Sequence, residues 1–324
     1  MKITHALVTG GAGFIGSHLC EHLLGQGCRV TAVDDLSTGS IRNVRALEGN
    51  PRFRIYIGSA GDRELLQDLA VGADAVFHLA AVVGVRKVME NPVETIEKNL
   101  HTTETVLKVC NLLRLRLLVT STSEVYGANP RASFREEDDS IIGSSRHRRW
   151  SYAASKLLDE FHAYAYFHST SLPVTIVRLF NTVGPRQVGH YGMVVPTFVA
   201  QALAGEPLTV YGDGAQRRCF TAVADVVRCL WELAGREATA GQVFNIGGIQ
   251  EISIMELARK VKAMTGSASP IVTRSYAEVY GESFVDLERR VPDVARLGAA
   301  IGFVPETPLD RMLQSVIDDL RAAR

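Results

Sequence analysis

The 324-residue sequence has no excess charge of either sign, because 35 lysines and arginines balance 35 aspartates and glutamates. It also lacks a stripe of basic residues interleaved with aromatic ones, a pattern typical of nucleic-acid binding. No run of about 18 consecutive apolar residues occurs, and the first residues lack the apolar core of a secretory signal peptide. We therefore expect a cytoplasmic protein that binds neither nucleic acid nor membranes.

Cysteine is scarce: the sequence has five, with no Cys-x-x-Cys pair among them. An odd number without such pairs predicts reduced, mostly buried thiols rather than a disulfide framework. His18 and His22 have the i, i+4 spacing that a metal needs on one helix face, but no third ligand lies near them in the sequence. We predict no metal site.

Six apolar, β-branched segments alternate with helical patterns along the first part of the chain. They are "ITHALVTG", "RVTAVDD", "FRIYIG", "DAVFHLAA", "LRLLVTST" and "PVTIVRLF". Such alternation is typical of βαβ units, and continuously apolar strands are typical of a sheet covered on both faces. The sequence therefore predicts an α/β protein with a doubly wound parallel sheet.

The composition changes past residue 180, where Gly, Pro and Arg become frequent. We interpret residues 1–180 as the sheet domain, with 220–248 supplying a helix and a strand that return to it. Residues 181–219 and 249–324 would form a smaller C-terminal lobe. Ligand-binding groups tend to concentrate on loops of this kind.

A glycine pattern after the first strand indicates a dinucleotide site. Gly10, Gly13 and Gly16 follow that strand and open an amphipathic helix, where backbone N–H groups can meet a pyrophosphate. Asp34 ends the second strand, where a carboxylate can bind the ribose hydroxyls of adenosine. An acid there disfavours the extra phosphate of NADP, so the cofactor predicted is NAD.

A second pattern, "SYAASKLLDE", carries Tyr152 and Lys156 four residues apart on a predicted helix, hence on one face. A lysine cation beside a tyrosine lowers the pKa of the phenol, which would make the phenol usable as a base near neutral pH. Thr122 stands before it at the end of a buried strand, in "STSEVYG".

Together these motifs resemble the extended short-chain dehydrogenase/reductase family, and within it the enzymes that remodel nucleotide sugars. The resemblance spans nearly the whole chain through "TGGAGFIGSHL", "DDLSTG", "HLAA", "STSEVYG", "YAASK", "RLFNTVGPRQ", "YGDGAQRRCF" and "RRVPD". It implies a Rossmann-type domain with a substrate-binding lobe, a UDP-sugar substrate, and a homodimer formed through two helix pairs. It also implies a Thr122, Tyr152 and Lys156 triad that oxidises the sugar at C4.

The resemblance further implies two sets of binding residues. The expected NAD contacts are Gly10, Gly13, Phe14, Ile15, Gly16, Asp34, Ser37, Thr38, Gly39, Leu79, Ala80, Ala81, Asn99, Tyr152 and Lys156. The expected substrate contacts are Arg86, Asn181, Arg186, Val195, Tyr211, Gln216, Arg218 and Arg290. The acid that the family carries after the third strand, an adenine contact, is replaced here by Ser59 or displaced to Asp62.

The residues after Thr122 distinguish the reactions that a 4-ketosugar can undergo. Ser123 and Glu124 resemble the pair in UDP-glucuronate decarboxylases and in GDP-mannose 4,6-dehydratases, whereas 4-epimerases carry small residues there. Arg290, in "RRVPD", resembles the decarboxylase arginine that acts beside the substrate carboxylate. We therefore expect an NAD-dependent UDP-glucuronate decarboxylase that gives UDP-xylose or its 4-keto precursor.

Three other functions remain open from the sequence. The segment "AAVVGVR" is more similar to 4-epimerases of UDP-hexoses or UDP-glucuronate. Glu124 alone would also suit a 4,6-dehydratase. A non-catalytic dinucleotide-binding protein is disfavoured by the intact triad. Glu124 could also serve only to order its loop, and Arg290 could form a salt bridge between the lobes.

Overall fold

The computed structural model describes residues 2–84, 90–189, 192–276, 278 and 289–323. In chain order the strands are β1 (His5–Thr9), β2 (Arg29–Asp34), β3 (Phe53–Ile57), β4 (Ala75–His78), β5 (Arg116–Thr122), β6 (Val174–Leu179), β7 (Thr182–Val183), β8 (Leu208–Tyr211), β9 (Arg217–Cys219), β10 (Thr221–Ala222), β11 (Val243–Ile246), β12 (Glu251–Ser253) and β13 (Ile271–Arg274). The helices are α1 (Phe14–Gly25), α2 (Arg63–Ala70), α3 (Pro92–Leu113), α4 (Trp150–Thr170), α5 (Val194–Ala204), α6 (Val223–Ala234), α7 (Ile254–Thr265), α8 (Ala295–Ile301) and α9 (Leu309–Ala322).

Seven strands form one parallel sheet in the order β11-β6-β5-β4-β1-β2-β3. All residues of β1 and β4 are buried, as expected for strands covered on both faces. Because the strands run parallel, their carboxyl ends meet at one edge of the sheet. This edge therefore collects the polar residues that follow each strand, where open α/β sheets bind their ligands.

Helices cover both faces of the sheet. One apolar core joins the sheet to α1, α6 and α8, and a second joins it to α2, α3 and α4. A third core lies among α5, α7, α9 and strands β8 and β10, and it belongs to a smaller lobe. The predicted α/β fold, with a doubly wound parallel sheet and a second lobe, is therefore confirmed.

The chain crosses between the lobes more than once. β11 pairs with β6 at the edge of the large sheet, and Leu297 and Ile301 of α8 pack in the core that contains α1. The remaining strands form three small pairs, β7 with β10, β9 with β12, and β8 with β13. The division of residues into lobes that the sequence suggests stays a prediction.

The five cysteines are all buried and free, as the sequence predicts. Among the described helices, none combines the length and the apolar composition that crossing a bilayer requires.

Candidate active site

A cleft of about 550 Å³ opens at the carboxyl ends of the central strands and extends to the second lobe. Its walls include the ends of β1, β2, β4, β5 and β6, together with side chains from α5, β8 and α7. A cleft of this volume suits a small-molecule ligand, and it lies where the strand order reverses between β1 and β4.

The turn between β1 and α1 forms the dinucleotide end. Gly10 has φ +72°, and a Cβ atom added there would lie 2.8 Å from the Ala80 nitrogen, so the backbone requires glycine. Gly13 is the N-cap of α1, and no side chain caps this end of the helix. The first turn of α1 lines the cleft, so its N–H groups and positive end fit a pyrophosphate.

Asp34 lies at the end of β2, beside this turn. Its carboxylate accepts hydrogen bonds from the N–H groups of Ala12, at 2.9 Å, and Leu36, at 2.8 Å. Burial raises the pKa of Asp34, and these two hydrogen bonds oppose the rise. The carboxylate both ties the glycine turn to β2 and lines the cleft, where it is placed to accept hydrogen bonds from a ribose.

Most of the predicted NAD contacts line the cleft. Those that do are Gly10, Gly13, Phe14, Ile15, Gly16, Asp34, Ser37, Thr38, Leu79, Ala80, Ala81, Asn99, Tyr152 and Lys156. Asn99 shapes the wall as well, because its amide bonds both the N–H and the C=O of Val82. Gly39 instead packs against the Asp34 carboxylate, where a Cβ atom would lie 2.7 Å from Oδ1.

The structure separates the two residues considered at the adenine position. Ser59 lines the cleft, and its hydroxyl accepts a hydrogen bond from Gly61 N at 3.1 Å. Asp62 is the N-cap of α2 and accepts hydrogen bonds from Glu64 N and Leu65 N. Of the two, Ser59 is therefore the one that lines the cleft.

Thr122 ends β5 and begins a 3₁₀ helix over Ser123–Tyr126. Its hydroxyl accepts a hydrogen bond from Glu124 N at 3.2 Å and also bonds the Tyr152 phenol. Ser123 is buried and lines the cleft beside them. The chain thus brings the predicted oxidising residues together, although Thr122 and Tyr152 come from different elements.

The lowered pKa predicted for Tyr152 from its lysine neighbour is wrong for this structure. Burial raises the pKa of the Tyr152 phenol, the charges of Glu124 and Asp159 raise it further, and only the Thr122 hydrogen bond lowers it. The ammonium group of Lys156 lies 2.7 Å from Asp159 Oδ2 and is paired with that carboxylate. A cation bound in the cleft would be needed to lower the pKa of the phenol.

His78 is the buried last residue of β4. Its ring is buried between the hydroxyls of Thr9, at 2.8 Å, and Thr103, at 3.2 Å. Burial, with a smaller effect from Lys156, lowers the pKa of His78 to about 3. The imidazole is therefore neutral and serves as a structural hydrogen-bonding group.

Glu124 and Arg290 form an ion pair inside the cleft. Arg290 Nη1 donates to Glu124 Oε1 at 2.9 Å, and both side chains are largely buried. Arg149 Nη2 lies 4.0 Å from the other oxygen, Oε2. Arg290 thus forms a salt bridge, one of the alternatives considered for it. Both partners line the same cleft as Thr122 and Tyr152.

The second lobe supplies the other end of the cleft. The residues that line it include five of the predicted substrate contacts, Asn181, Val195, Tyr211, Gln216 and Arg218. Gln216 Nε2 donates to the Tyr211 carbonyl at 3.0 Å and to the Tyr276 hydroxyl at 2.9 Å. Arg218 is buried although it lines the cleft, and its Nη1 donates to the Arg217 carbonyl at 2.8 Å.

Arg186 does not line the cleft: its guanidinium pairs with Glu21, at 2.5 Å, and bonds Ser17 in α1. The substrate contact predicted for Arg186 stays a prediction, and in this structure acceptors from α1 engage the side chain. Arg86 lies outside the described residues.

Sequence reasoning missed three residues of the site. Asp159 is buried against Lys156, Arg149 lies beside Glu124, and Tyr276 bonds Gln216. The i, i+3 spacing of Lys156 and Asp159 on a helix was a usable signal. The other two contacts join distant parts of the chain and left no local pattern.

The comparisons with known proteins agree with this geometry. Residues 6–247 match the NAD dependent epimerase/dehydratase family, and the chain belongs to that family. It is 40% identical, over 97% of each chain, to the UDP-N-acetyl-alpha-D-glucosaminuronate decarboxylase of Bacillus cytotoxicus. It is 36% identical to UDP-glucuronic acid decarboxylase 1 of Xenopus tropicalis, over 97% of this chain and 72% of the relative.

A solved structure with the same fold is the UDP-glucuronic acid 4-epimerase from Bacillus cereus in complex with UDP-glucuronic acid and NAD. The TM-score is 0.89 and the identity 27%, over 99% of this chain and 100% of that one. The resemblance inferred from the sequence motifs is confirmed at the level of the family. The comparisons also include both of the leading reaction types, decarboxylation and 4-epimerisation.

Proposed function

We propose that the protein is an NAD-dependent decarboxylase of a UDP-linked uronic acid, with UDP-glucuronate as its expected substrate. The observation that carries the proposal is the Glu124–Arg290 ion pair, which stands in the cleft beside Tyr152. A glutamate and an arginine at this position are not needed to invert C4. They suit a substrate that carries a carboxylate at C6.

The residues at the dinucleotide end fit NAD. The uncapped first turn of α1 suits its pyrophosphate, and the Asp34 carboxylate suits its ribose. When bound, NAD would accept the hydride from C4 of the sugar and supply a positive charge near Tyr152. The phenolate of Tyr152 would take the proton of the C4 hydroxyl, while Thr122 bonds the same oxygen.

Oxidation at C4 makes the sugar a β-keto acid. The bond between C5 and C6 then breaks, C6 leaves as carbon dioxide, and the electron pair passes through C5 to the C4 oxygen. Hydrogen bonds from Thr122 and Tyr152 would stabilise the charge that develops on that oxygen. C5 then takes up a proton, which leaves a 4-keto pentose.

Two uronic acids are supported as substrates. The relative at 40% identity is named for UDP-N-acetyl-alpha-D-glucosaminuronate, and the relatives at 33–36% are named for UDP-glucuronic acid. Both sugars carry the same C6 carboxylate and differ at C2. The substrate class therefore follows from the carboxylate, and the C2 group is a matter for a substrate panel.

The second candidate function is 4-epimerisation of UDP-glucuronate. It is supported by "AAVVGVR" in the sequence and by the likeness to the epimerase from Bacillus cereus. In that reaction the hydride returns to the other face of C4 and no carbon is lost. The two functions therefore differ in whether C6 leaves.

The test is to incubate the purified protein with each UDP-uronic acid labelled with ¹³C at C6. We expect labelled carbon dioxide and a product with five sugar carbons by mass spectrometry. Glu124→Gln should slow this release by about a hundredfold, because it weakens the ion pair that positions Arg290 in the cleft, and a misplaced active-site group can cost that much. A product that keeps all six carbons and has C4 inverted would instead establish the epimerase.

We further propose that the protein forms a homodimer through α3 and α4. Val93 and Leu112 of α3, and Leu158 and Phe161 of α4, are large apolar side chains that the single chain leaves exposed. Light scattering should give a mass of two chains for the wild type. For Phe161→Glu it should give the mass of one chain, because a charge would be buried in the interface. A wild-type mass of one chain would reject the proposal.

A further inference from the structure

His101 is a histidine of α3 to which neither the sequence motifs nor the proposed reaction assigns a role. The residue is exposed, and it lines the cleft together with Ser59 and Ala60, which follow β3. Lys98, one turn earlier on α3, lines the cleft as well, but its ammonium group pairs with Glu94 at 2.9 Å. His101 thus presents an aromatic ring to this end of the cleft.

The ring of His101 lies against the loop that follows β3. A Cβ atom added to Gly61 would lie 2.9 Å from His101 Cδ2 and 3.3 Å from both His101 Nε2 and Ser59 Oγ. The φ of Gly61 is outside the left-handed region, so the space taken by His101, rather than the backbone conformation, favours glycine there. Thr105, one turn after His101, donates from Oγ1 to the Gly61 carbonyl at 3.4 Å. The loop and α3 therefore hold the imidazole beside Ser59.

The order of the strands places this loop at the adenine end of the dinucleotide site. Gly10 follows β1, where the pyrophosphate fits, and Asp34 ends β2, where the adenosine ribose fits. Since β3 is the next strand outward from β2, a base attached to that ribose extends toward the loop after β3. The nicotinamide half extends the other way, past β4 toward the end of β5, where Thr122 lies. The loop, with His101 beside it, therefore faces the adenine.

We propose that His101 packs its imidazole ring against the adenine of NAD, and that Gly61 leaves the room that this ring needs. The inference rests on the NAD cofactor of the proposed function and is independent of what happens at C6 of the sugar. An aromatic side chain can stack on a base because both have a π-face, and truncating such a side chain to alanine weakens binding by about fivefold to a hundredfold. His101 would therefore set the affinity for the cofactor and take no part in the chemistry.

The test measures binding by calorimetry, with NAD and ADP-ribose titrated into protein freed of bound nucleotide. His101→Ala should weaken the binding of both ligands by about fivefold to a hundredfold, because both contain the adenine. The variant should fold normally, since alanine is the strongest helix former. His168→Ala is the matched control, because His168 is also exposed on a helix but does not line the cleft, and it should change neither dissociation constant. No loss in His101→Ala, or a loss for NAD alone, would overturn the proposal.

Gly61→Ala tests the same contact from the other side. The added methyl group should displace the ring and weaken NAD binding by a factor similar to that of His101→Ala. The double variant should bind NAD no more weakly than His101→Ala alone, because the two substitutions remove one interaction. Gly25→Ala is the control: Gly25 also has φ outside the left-handed region, but no described atom lies within 4 Å of its Cβ position. Factors that multiply in the double variant would show that Gly61 acts without His101 and would overturn the pairing.

Failure of this inference is distinguishable from failure of the proposed function. If the wild type releases carbon dioxide but His101→Ala binds NAD and ADP-ribose as tightly as the wild type does, the inference fails and the function stands. If the wild type releases none and His101→Ala still loses affinity for both ligands, the decarboxylase fails and the adenine contact stands. A wild type that binds no NAD would overturn both.

Discussion

The ammonium group of Lys156 lies 2.7 Å from the carboxylate of Asp159, one turn further along α4, and both side chains are buried. Oδ1 of Asp159 is also buried and has no hydrogen-bond partner among the described residues. The carboxylate of Asp159 also lies near Tyr152, and its negative charge raises the pKa of the phenol. Asp159 is therefore expected to affect both the stability of the protein and the acidity of Tyr152.

Asp159→Asn should change both properties. Breaking a buried ion pair leaves Lys156 uncompensated, so the free energy of unfolding should fall by about 3–5 kcal/mol. The loss of negative charge should lower the pKa of Tyr152, so the rising limb of the kcat profile should move to lower pH. Asp68→Asn, at an exposed position of α2, is the control. An unchanged pH profile in an active, folded variant would contradict the electrostatic link.

Gly10→Ala should remove cofactor binding as well as stability. Gly10 and Gly205 have nearly the same φ, +72° and +74°, but a Cβ atom would clash with Ala80 only at Gly10. Gly205→Ala should therefore lower the free energy of unfolding by about 1 kcal/mol, because alanine is strained in a left-handed backbone conformation. Gly10→Ala should lower the free energy of unfolding by more than this, as measured by urea titration. It should also leave no NAD binding that calorimetry can detect. Equal costs at the two positions would show that the close approach to Ala80 is unimportant.

Glu160→Gln tests a second buried ion pair, which supports the back of the site. The Glu160 carboxylate accepts hydrogen bonds from Arg178 Nη2, at 2.7 Å, and from the Ser121 hydroxyl beside Thr122. Its loss should lower the free energy of unfolding by about 3–5 kcal/mol. Glu104→Gln breaks an exposed ion pair with Lys108 and should lower the free energy of unfolding by less than about 1 kcal/mol. Similar costs would mean that burial does not set the strength of these pairs.

His78 should make stability depend on pH. The unfolded chain binds a proton on this residue below its ordinary pKa of 6.5, whereas the folded protein keeps it neutral down to about pH 3. The unfolded state therefore binds more protons in this window, and stability falls as the pH falls, by up to about 1.4 kcal/mol per pH unit.

The variant His78→Asn has no imidazole at this position, so its unfolded state cannot take up this proton. Its deficit in unfolding free energy relative to the wild type, measured by urea titration, should therefore shrink as the pH is lowered from 7 to 5. A deficit that stays constant over this range would show that His78 does not contribute to the pH dependence.

The sheet and the dinucleotide turn were predictable because their causes are local. Each strand carries its own continuous apolar run, and Gly10, Gly13 and Asp34 stand at fixed places relative to the first two strands. Tyr152 and Lys156 share one helix, so their spacing also identified them. Thr122 and Arg290 were predicted through resemblance to a family, since no local pattern joins them.

The sequence by itself therefore determined the elements, their order and the residues that we propose carry C4 oxidation. Only the tertiary structure decided three properties of the site: the raised pKa of Tyr152, the engagement of Arg186 by α1, and the approach of Arg149 to Glu124. The physical reason is that burial and electrostatic interaction depend on distances in space. Arg290 and Glu124 are 166 residues apart in the chain, yet they share one hydrogen bond in the folded cleft.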